Sequence, residues 1–164
     1  VTALIRGWKP GLIGTITAEH GRFYAREWDF GSVFEGKVAE ALGEWTARAA
    51  ASSDLLLSAF DGELFLGSIA VDGLGGPPQS ARLRFFIMTD AARGRGIGRR
   101  LIAEALGFVD EAGFERCVLT TFAGLDAARH LYESLGFRLV KEETAATWGR
   151  PVSEQLFERV RSAP

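Results

Sequence analysis

The sequence predicts an α/β fold, a mixed central β-sheet of about seven strands flanked by helices, in the order β-α-α-β-β-β-α-β-α-β-β. Three observations carry that prediction. Short apolar runs of strand length alternate with longer segments of helical period. Asp61-Gly62 separates two of those runs, the strongest short-range signal for a β-hairpin. The apolar run 83–88 leads into Arg93-Gly94-Arg95-Gly96-Ile97-Gly98 and then an amphipathic segment. Strand, glycine-rich turn and helix is the arrangement that aims backbone N–H groups at a phosphate.

Composition bounds the function. A chain of 164 residues, 47% hydrophobic and 24% charged, reads as one domain over 1–164 that can bury a full core. The net charge of −2 argues against broad nucleic-acid binding, and Arg93, Arg95, Arg99 and Arg100 supply only a local basic patch. Cys117 is the single cysteine, which excludes an intrachain disulfide and fits a reducing compartment. No apolar run reaches the length of a membrane span and no secretory pattern opens the chain, so a cytoplasmic protein without a membrane partner is expected. The chain starts with Val rather than Met, as a trimmed chain or a piece of a longer one would.

Taken in order, residues 3–8 form a first strand stopped by Pro10-Gly11. Residues 12–27 have a helical period, with Ile13, Ile16, His20, Phe23, Tyr24 and Glu27 near one face; Gly14 and Gly21 predict a bent or broken helix. Ser32 is the expected N-cap of a second helix over 33–50, whose apolar side carries Phe34, Val38, Ala41, Leu42 and Trp45. The hairpin strands span 55–60 and 63–71, and the glycine- and proline-rich stretch 73–80 is a loop. The strand 82–88 is apolar on both faces from Phe85 onward, as an interior strand is. A helix over 97–112 buries Ile97, Leu101, Ala105, Phe108 and Ala112, and Gly113 ends it. A strand over 117–122, a helix over 126–135, and strands from Phe137 and over 155–160 complete the chain.

At the glycine turn, Gly96 and Gly98 allow close backbone approach, and the helix behind them contributes partial positive charge. The neighbouring arginines add full charges for phosphate groups. A Walker loop is excluded because Gly98 is followed by Arg99-Arg100. The dinucleotide fingerprint is excluded because Arg99 stands where its third glycine belongs. The competing reading is a tight connection with solvated arginines.

Arg93-x-x-Gly96-x-Gly98 after a strand resembles the acetyl-CoA signature of the GCN5-related N-acetyltransferase (GNAT) superfamily. Ala128-x-x-Leu131-Tyr132-x-x-x-Gly136-Phe137 is similar to that family's later helix-to-strand motif, and the element order matches over nearly the whole chain. The resemblance implies acetyl-CoA (coenzyme A) as cofactor. The amides of Gly94, Arg95, Gly96, Ile97, Gly98 and Arg99 would hold its pyrophosphate, with Arg93 at the signature position. Ile87 and Met88 would run along the pantetheine arm, where the strand splays from its neighbour, and the Met88 amide would polarise the thioester carbonyl. Leu125 and Ala128 would complete the cofactor contacts, and Tyr132 would be the general acid for the departing thiolate. The other reading of Tyr132 is a packed helix residue. Two positions depart from the pattern: Leu125 replaces an Asn that contacts the cofactor arm, and Asp90 replaces a Pro after the core strand.

The central strand carries Arg82 and Arg84 and no carboxylate, where many relatives have a Glu base. His20 and Glu27 on the first helix are the candidate bases, beside Tyr24. His130 and Cys117 read as a solvated and an inert residue. Trp8, Trp45 and Phe108 fit core faces, while Trp28 and Trp148 flank loops where they can wall an acceptor pocket. No metal site is expected. The early segment around His20 and Phe34-Glu35 resembles GNAT domains fused to MarR-type regulators, although no DNA-binding domain lies in these residues. The expected function is acetyl transfer from acetyl-CoA to a primary amine on a small molecule or protein, by direct attack in a ternary complex. The resemblance also allows a homodimer. The alternative is a non-catalytic acyl-CoA-binding sensor or regulatory module.

Overall fold

The computed structural model describes residues 1–74, 76 and 79–162 and arranges seven strands in one mixed sheet. In chain order the elements are β1 (Thr2–Arg6), α1 (Leu12–Trp28), α2 (Ser32–Arg48), β2 (Leu55–Asp61), β3 (Leu64–Asp72), β4 (Ser80–Met88), α3 (Ile97–Glu111), β5 (Arg116–Phe122), α4 (Asp126–Ser134), β6 (Arg138–Ala145) and β7 (Val152–Val160), with a 3-10 turn at Asp90–Ala92. The order predicted from sequence is the order observed. The sheet runs β1-β2-β3-β4-β5-β7-β6. Every neighbouring pair is antiparallel except β4 and β5, which are parallel and joined by the α3 crossover. On one face α3 packs through Leu101, Ile102, Ala105 and Val109 against Leu57, Ile69, Leu83 and Leu119. On the other, Leu12, Ile16, Leu42 and Trp45 of α1 and α2 cover Leu56, Phe60, Ala70 and Ile87.

Several local expectations are corrected. Helix α1 is continuous despite its glycines. Gly21 is buried at its crossing with α2, where a Cβ would lie 2.0 Å from Glu35 Oε1. Close helix packing there offsets the roughly 1 kcal/mol propensity cost of a mid-helix glycine. Ser32 is the first helical residue rather than the cap; Gly31, extended at φ −111°, occupies that position. Trp8 is 61% exposed because it lies beyond the end of β1, and Ala112 is exposed at the end of α3. Ser80, assigned to the loop from sequence, opens β4, and Gly75, Pro77 and Pro78 of that predicted loop lie outside the described residues.

Strand β4 positions everything that follows. Its register with β3 passes from Ser68↔Ile87 to Ala70↔Arg84, so Ile69 faces both Phe85 and Phe86 in a β-bulge. Phe85 takes a left-handed φ of 53°, and the Ser68 hydroxyl donates to its carbonyl oxygen at 2.9 Å. Toward β5 the ladder holds only at Ser80↔Arg116, Ala81↔Cys117 and Arg82↔Val118. Beyond Arg82 the two strands part.

Beside the bulge, fully buried Asp72 accepts bonds from Arg48 Nη1 and Nη2 at 3.0 and 2.8 Å, Arg84 Nη1 at 2.9 Å and the Leu74 amide at 3.0 Å. Burial alone would raise this carboxyl; the bonds from Arg48, the Leu74 amide and Arg84 hold it below the usual range. Asp72→Asn should therefore lower unfolding stability by about 3 kcal/mol, the low end for a broken buried pair, because the guanidinium heads reach solvent. Urea denaturation measures it. Ser68→Ala, which removes one hydroxyl bond at the bulge, should cost about 1 kcal/mol in the same assay.

Candidate active site

The parting of β4 and β5 opens a cleft of about 1280 Å³. Residues 83–88 and 119–122 line it, the glycine turn meets one end, and α4 and the helices α1 and α2 supply the walls. Arg93, Gly94, Gly96, Ile97, Gly98, Leu125, Ala128, Ile87, Met88, Tyr132 and His20 all line this one cleft.

At the turn, Gly94 and Gly96 are left-handed, with φ of 72° and 70°, and a Cβ on either would meet nothing within 4 Å. The positive φ, rather than lack of space, favours glycine here. Gly96 caps α3 without a side-chain hydrogen bond. The amides of Arg93, Arg95 and Arg100 are used internally, by Asp90, Ala92 and Gly96 carbonyls. Those of Gly94, Gly96, Ile97, Gly98 and Arg99 donate to no other described residue. The result is a set of open donors at a helix N-terminus, which suits an anion.

The arginines are arranged differently from the expectation that they add charge for phosphate groups. Arg95 Nη2 bonds Asp61 Oδ2 at 2.8 Å and Thr2 Oγ1 at 3.1 Å, toward the β1–β2 edge. Arg99 Nη2 turns to Ser134 Oγ at 3.3 Å. Neither side chain lines the cleft; of the three, only Arg93 does, and its Nη2 is bonded to Asp90 Oδ1 at 2.8 Å. Backbone amides, more than guanidinium groups, give the turn its capacity for an anion.

Further along β4, the Thr89 amide donates to Leu66 O at 3.0 Å across to β3. Successive strand amides point to opposite edges, so the Met88 N–H faces the gap left by β5. Gly67 lies opposite Met88, and a Cβ there would stand 2.7 Å from the Ile87 carbonyl oxygen. The absence of that atom lets β3 and β4 stay paired beside the bulge.

Tyr132 comes from α4, whose one apolar face turns into the sheet. It is 7% exposed and packed among the rings of Phe86, Phe137 and Phe157 at 6.1–6.3 Å between centroids. Burial pushes its phenol well above the ordinary range, with Tyr24 adding to the effect. The hydroxyl therefore keeps its proton throughout the neutral range.

His20 is buried in the opposite wall, where Nδ1 donates to the Ile16 carbonyl at 2.8 Å and Nε2 keeps its lone pair. Burial lowers its pKa to about 4, with the Ile16 bond opposing. Tyr24 lines the same wall, its phenol pushed up to about 12 by burial. Glu27, the other candidate base, is exposed, bonded to Arg26 Nε at 2.9 Å, and does not line the cleft. The helix turn between Tyr24 and Glu27 carries the carboxylate past the cleft edge into solvent.

The far end is closed by Trp148, one of the two loop tryptophans expected to wall a pocket, and by Arg150, which the sequence reading did not single out. Trp148, between β6 and β7, packs on Phe34 and Phe122 and donates Nε1 to Glu154 at 2.9 Å. Arg150 in the same connection bonds the Asp29 carboxylate and its carbonyl, tying it to the α1–α2 turn. Arg48, Asp72, Arg82, Arg84 and Thr120 line the cleft beside this aromatic wall. The period-two spacing of Arg82 and Arg84 was the one visible signal; Arg48 and Asp72 reach them through the fold.

Among the described residues no helix is long and apolar enough to cross a membrane. Compared with known proteins, the chain is similar over its whole length to solved acetyltransferases. YncA, an acetyltransferase of Salmonella typhimurium solved with acetyl-CoA, superposes with a TM-score of 0.76 at 15% identity, covering 99% of this chain and 97% of that one. A GCN5-related N-acetyltransferase from Kribbella flavida gives 0.75 at 20% identity, covering 98% of each chain. At such identities the likeness concerns the fold. In sequence, 78 residues are 35% identical to YjgM, an uncharacterised N-acetyltransferase of Escherichia coli K12, a match spanning 48% of this chain and 47%, about half, of that protein. The acetyltransferase (GNAT) family model matches residues 15–137, three quarters of the chain, and the chain belongs to that family.

Proposed function

We propose that the protein transfers an acetyl group from acetyl-CoA to a primary amine by direct attack within a ternary complex. The observation that carries this reading is the convergence, in one cleft, of open turn amides, an inward Met88 N–H and the hydroxyl of Tyr132. The residues present fit acetyl-CoA: unpaired amides for a pyrophosphate, and a β4 edge without a strand partner beyond Arg82 for an amide-bearing arm. When bound, acetyl-CoA supplies the activated acetyl group.

The chain's own residues then have separable tasks. The amides of residues 94–99 other than Arg95 hold the anionic end, and β4 orients the arm. The Met88 N–H donates toward the acyl oxygen. Tyr132 Oη donates toward the departing sulfur. Because burial holds that phenol so far up, complete transfer to a thiolate, whose ordinary pKa is about 8.5, runs uphill. A hydrogen bond that strengthens as sulfur charge develops is the contribution, and solvent completes the protonation.

His20 is not the sink for the amine's proton. A ring that protonates only near pH 4 cannot hold a proton against an alkylammonium, whose reference value is about 10.4. The acceptor therefore reacts as the free amine in equilibrium with its ammonium form in solution; once the carbon–nitrogen bond has formed, the nitrogen is acidic enough to release its proton to solvent, and His20 acts as a neutral hydrogen-bonding wall.

Tyr132→Phe should lower kcat roughly 10–100-fold while leaving the dissociation constant for acetyl-CoA within about twofold. Steady-state kinetics with calorimetric binding checks both, and unchanged kcat would remove Tyr132 from the chemistry. For His20, the folded pKa lies below the unfolded value, so its contribution to stability is complete above about pH 6.5. That contribution falls away as pH drops toward 4, by about 3 kcal/mol in all. Urea midpoints from pH 7 to pH 4 should fall less steeply in His20→Gln than in the unsubstituted protein.

A further inference from the structure

The charged side chains along the cleft offer no net charge by which to select an acceptor. Asp72 takes both Arg48 and Arg84, and Arg93 bonds Asp90. Lys141 and Glu143 on β6 pair with each other at 3.2 Å. Arg82 Nη1 donates to Thr120 Oγ1 at 2.8 Å, and Glu154 on β7 accepts the Trp148 indole N–H at 2.9 Å. Asp126 is exposed in the first turn of α4. Among the described residues, five cationic side chains and five carboxylates therefore line the cleft. Asp54 and Glu44 add further negative charge around Arg48, and His20 is neutral near pH 7.

Selection then falls to shape and apolar surface. Phe34 of α2, Phe122 at the end of β5 and Trp148 of the β6–β7 connection form one wall of the cleft. Phe34 and Phe122 are 4% and 6% exposed, whereas Trp148 is only half-buried and presents its ring to the open space. Its centroid stands 5.4 Å from that of Phe34 and 6.5 Å from that of Phe122. Tyr24 and Phe30 brace Phe34 from behind at 4.6 and 5.1 Å. The indole is held as well, by its bond to Glu154 and by Arg150, which ties the same connection to the Asp29 carbonyl. Trp28, the other loop tryptophan, packs on Phe122 and does not line the cleft. A fixed indole left half open is a preformed surface for another ring.

Resting on the acetyl-transfer reading, we infer that the acceptor is an arylalkylamine, a primary amine on a short alkyl arm whose aromatic ring packs against Trp148, Phe34 and Phe122, with Trp148 as the specificity-determining residue. A ring placed there loses its water, and offset or edge-on contact with the indole adds to that burial. A saturated ring of the same size gains the burial without the ring–ring contact. An acceptor bearing a carboxylate or a second ammonium meets no net opposite charge and gives up hydration on entering. During transfer the amine nitrogen forms the new C–N bond, the acyl carbon–sulfur bond breaks with its electron pair on sulfur, and the amine proton is released to solvent.

The experiment follows coenzyme A release from acetyl-CoA with benzylamine, phenethylamine and phenylpropylamine. Each is compared with its cyclohexyl counterpart and with the alkylamine lacking the ring, at equal concentrations of free amine. The best aryl acceptor should exceed its ringless counterpart in kcat/KM by roughly 10–100-fold, the worth of burying a phenyl group, and its cyclohexyl counterpart by about twofold or more. Trp148→Ala should reduce the first ratio about fivefold or more, whereas Trp148→Phe, which keeps a ring at that place, should preserve most of it. Rates indifferent to the ring, a cyclohexyl group as good as phenyl, or an aryl preference unchanged in Trp148→Ala would overturn the inference. Calorimetric titration of the unsubstituted, coenzyme A-loaded protein with N-phenethylacetamide and N-ethylacetamide reads the wall without turnover. Selective binding of the aryl amide with no acetylation of any amine would uphold the wall and sink the transfer reading; acetylation of amines regardless of the ring would do the reverse.

Discussion

A parallel strand pair that lets go after Arg82 is the constraint on which the rest of the molecule depends. Backbone amides and carbonyls within a sheet need partners, and six residues of β4 beyond Arg82 have none on the β5 side. The strand is bent there by the Phe85 bulge, at a conformational cost of roughly 1–2 kcal/mol for a left-handed non-glycine residue. The Ser68 hydroxyl, the missing Cβ of Gly67 and the Asp72 arginine cluster all gather around this bend. They make the open fork a rigid shape instead of a frayed edge. The exposed edge is then matched by an extended ligand with amides of its own.

The same opening sets the electrostatics. Tyr132 and Tyr24 are pushed up and His20 down by one cause, burial, so the middle of the cleft holds three polar rings without charge near neutral pH. Charged groups stand toward the two ends, Arg93 and Asp90 beside the α3 N-terminus and Arg48, Arg84 and Asp72 at the fork. An anionic cofactor is drawn to one end while the reacting atoms lie in a neutral, weakly screened interior, where a single N–H or O–H donor has the most effect.

How much of this was legible in the sequence depended on how local each feature is. Asp61-Gly62 gave the hairpin and residues 93–98 gave the turn, because contiguous residues fix both. Gly21 misled: its propensity cost is visible in sequence, whereas the offsetting contact with Glu35 comes from another helix. Glu27 misled because spacing gives a helix face but not where the face leaves the cleft. Arg95 and Arg99 sit at the turn in sequence, yet long side chains go to the nearest partners, Asp61 and Ser134. The Phe85 bulge left no mark, since a bulge is a property of two strands and appears only in their register.

That difference between local and assembled features also separates the two ends of the cleft. The proposed cofactor end is built from two contiguous segments, the turn running into α3 and the helix α4. The opposite end of the cleft draws Arg48 from α2, Asp72 from β3, Arg82 from β4, Thr120 from β5 and Trp148 from the β6–β7 connection. The fork lies between the two sets: Arg48 and Arg84 bond Asp72 and Arg82 bonds Thr120, while the turn's internal amides bond the Asp90, Ala92 and Gly96 carbonyls. Substitutions at well-separated residues act nearly additively. The fold can therefore keep the turn and α4 fixed while the scattered side chains at the other end of the cleft vary.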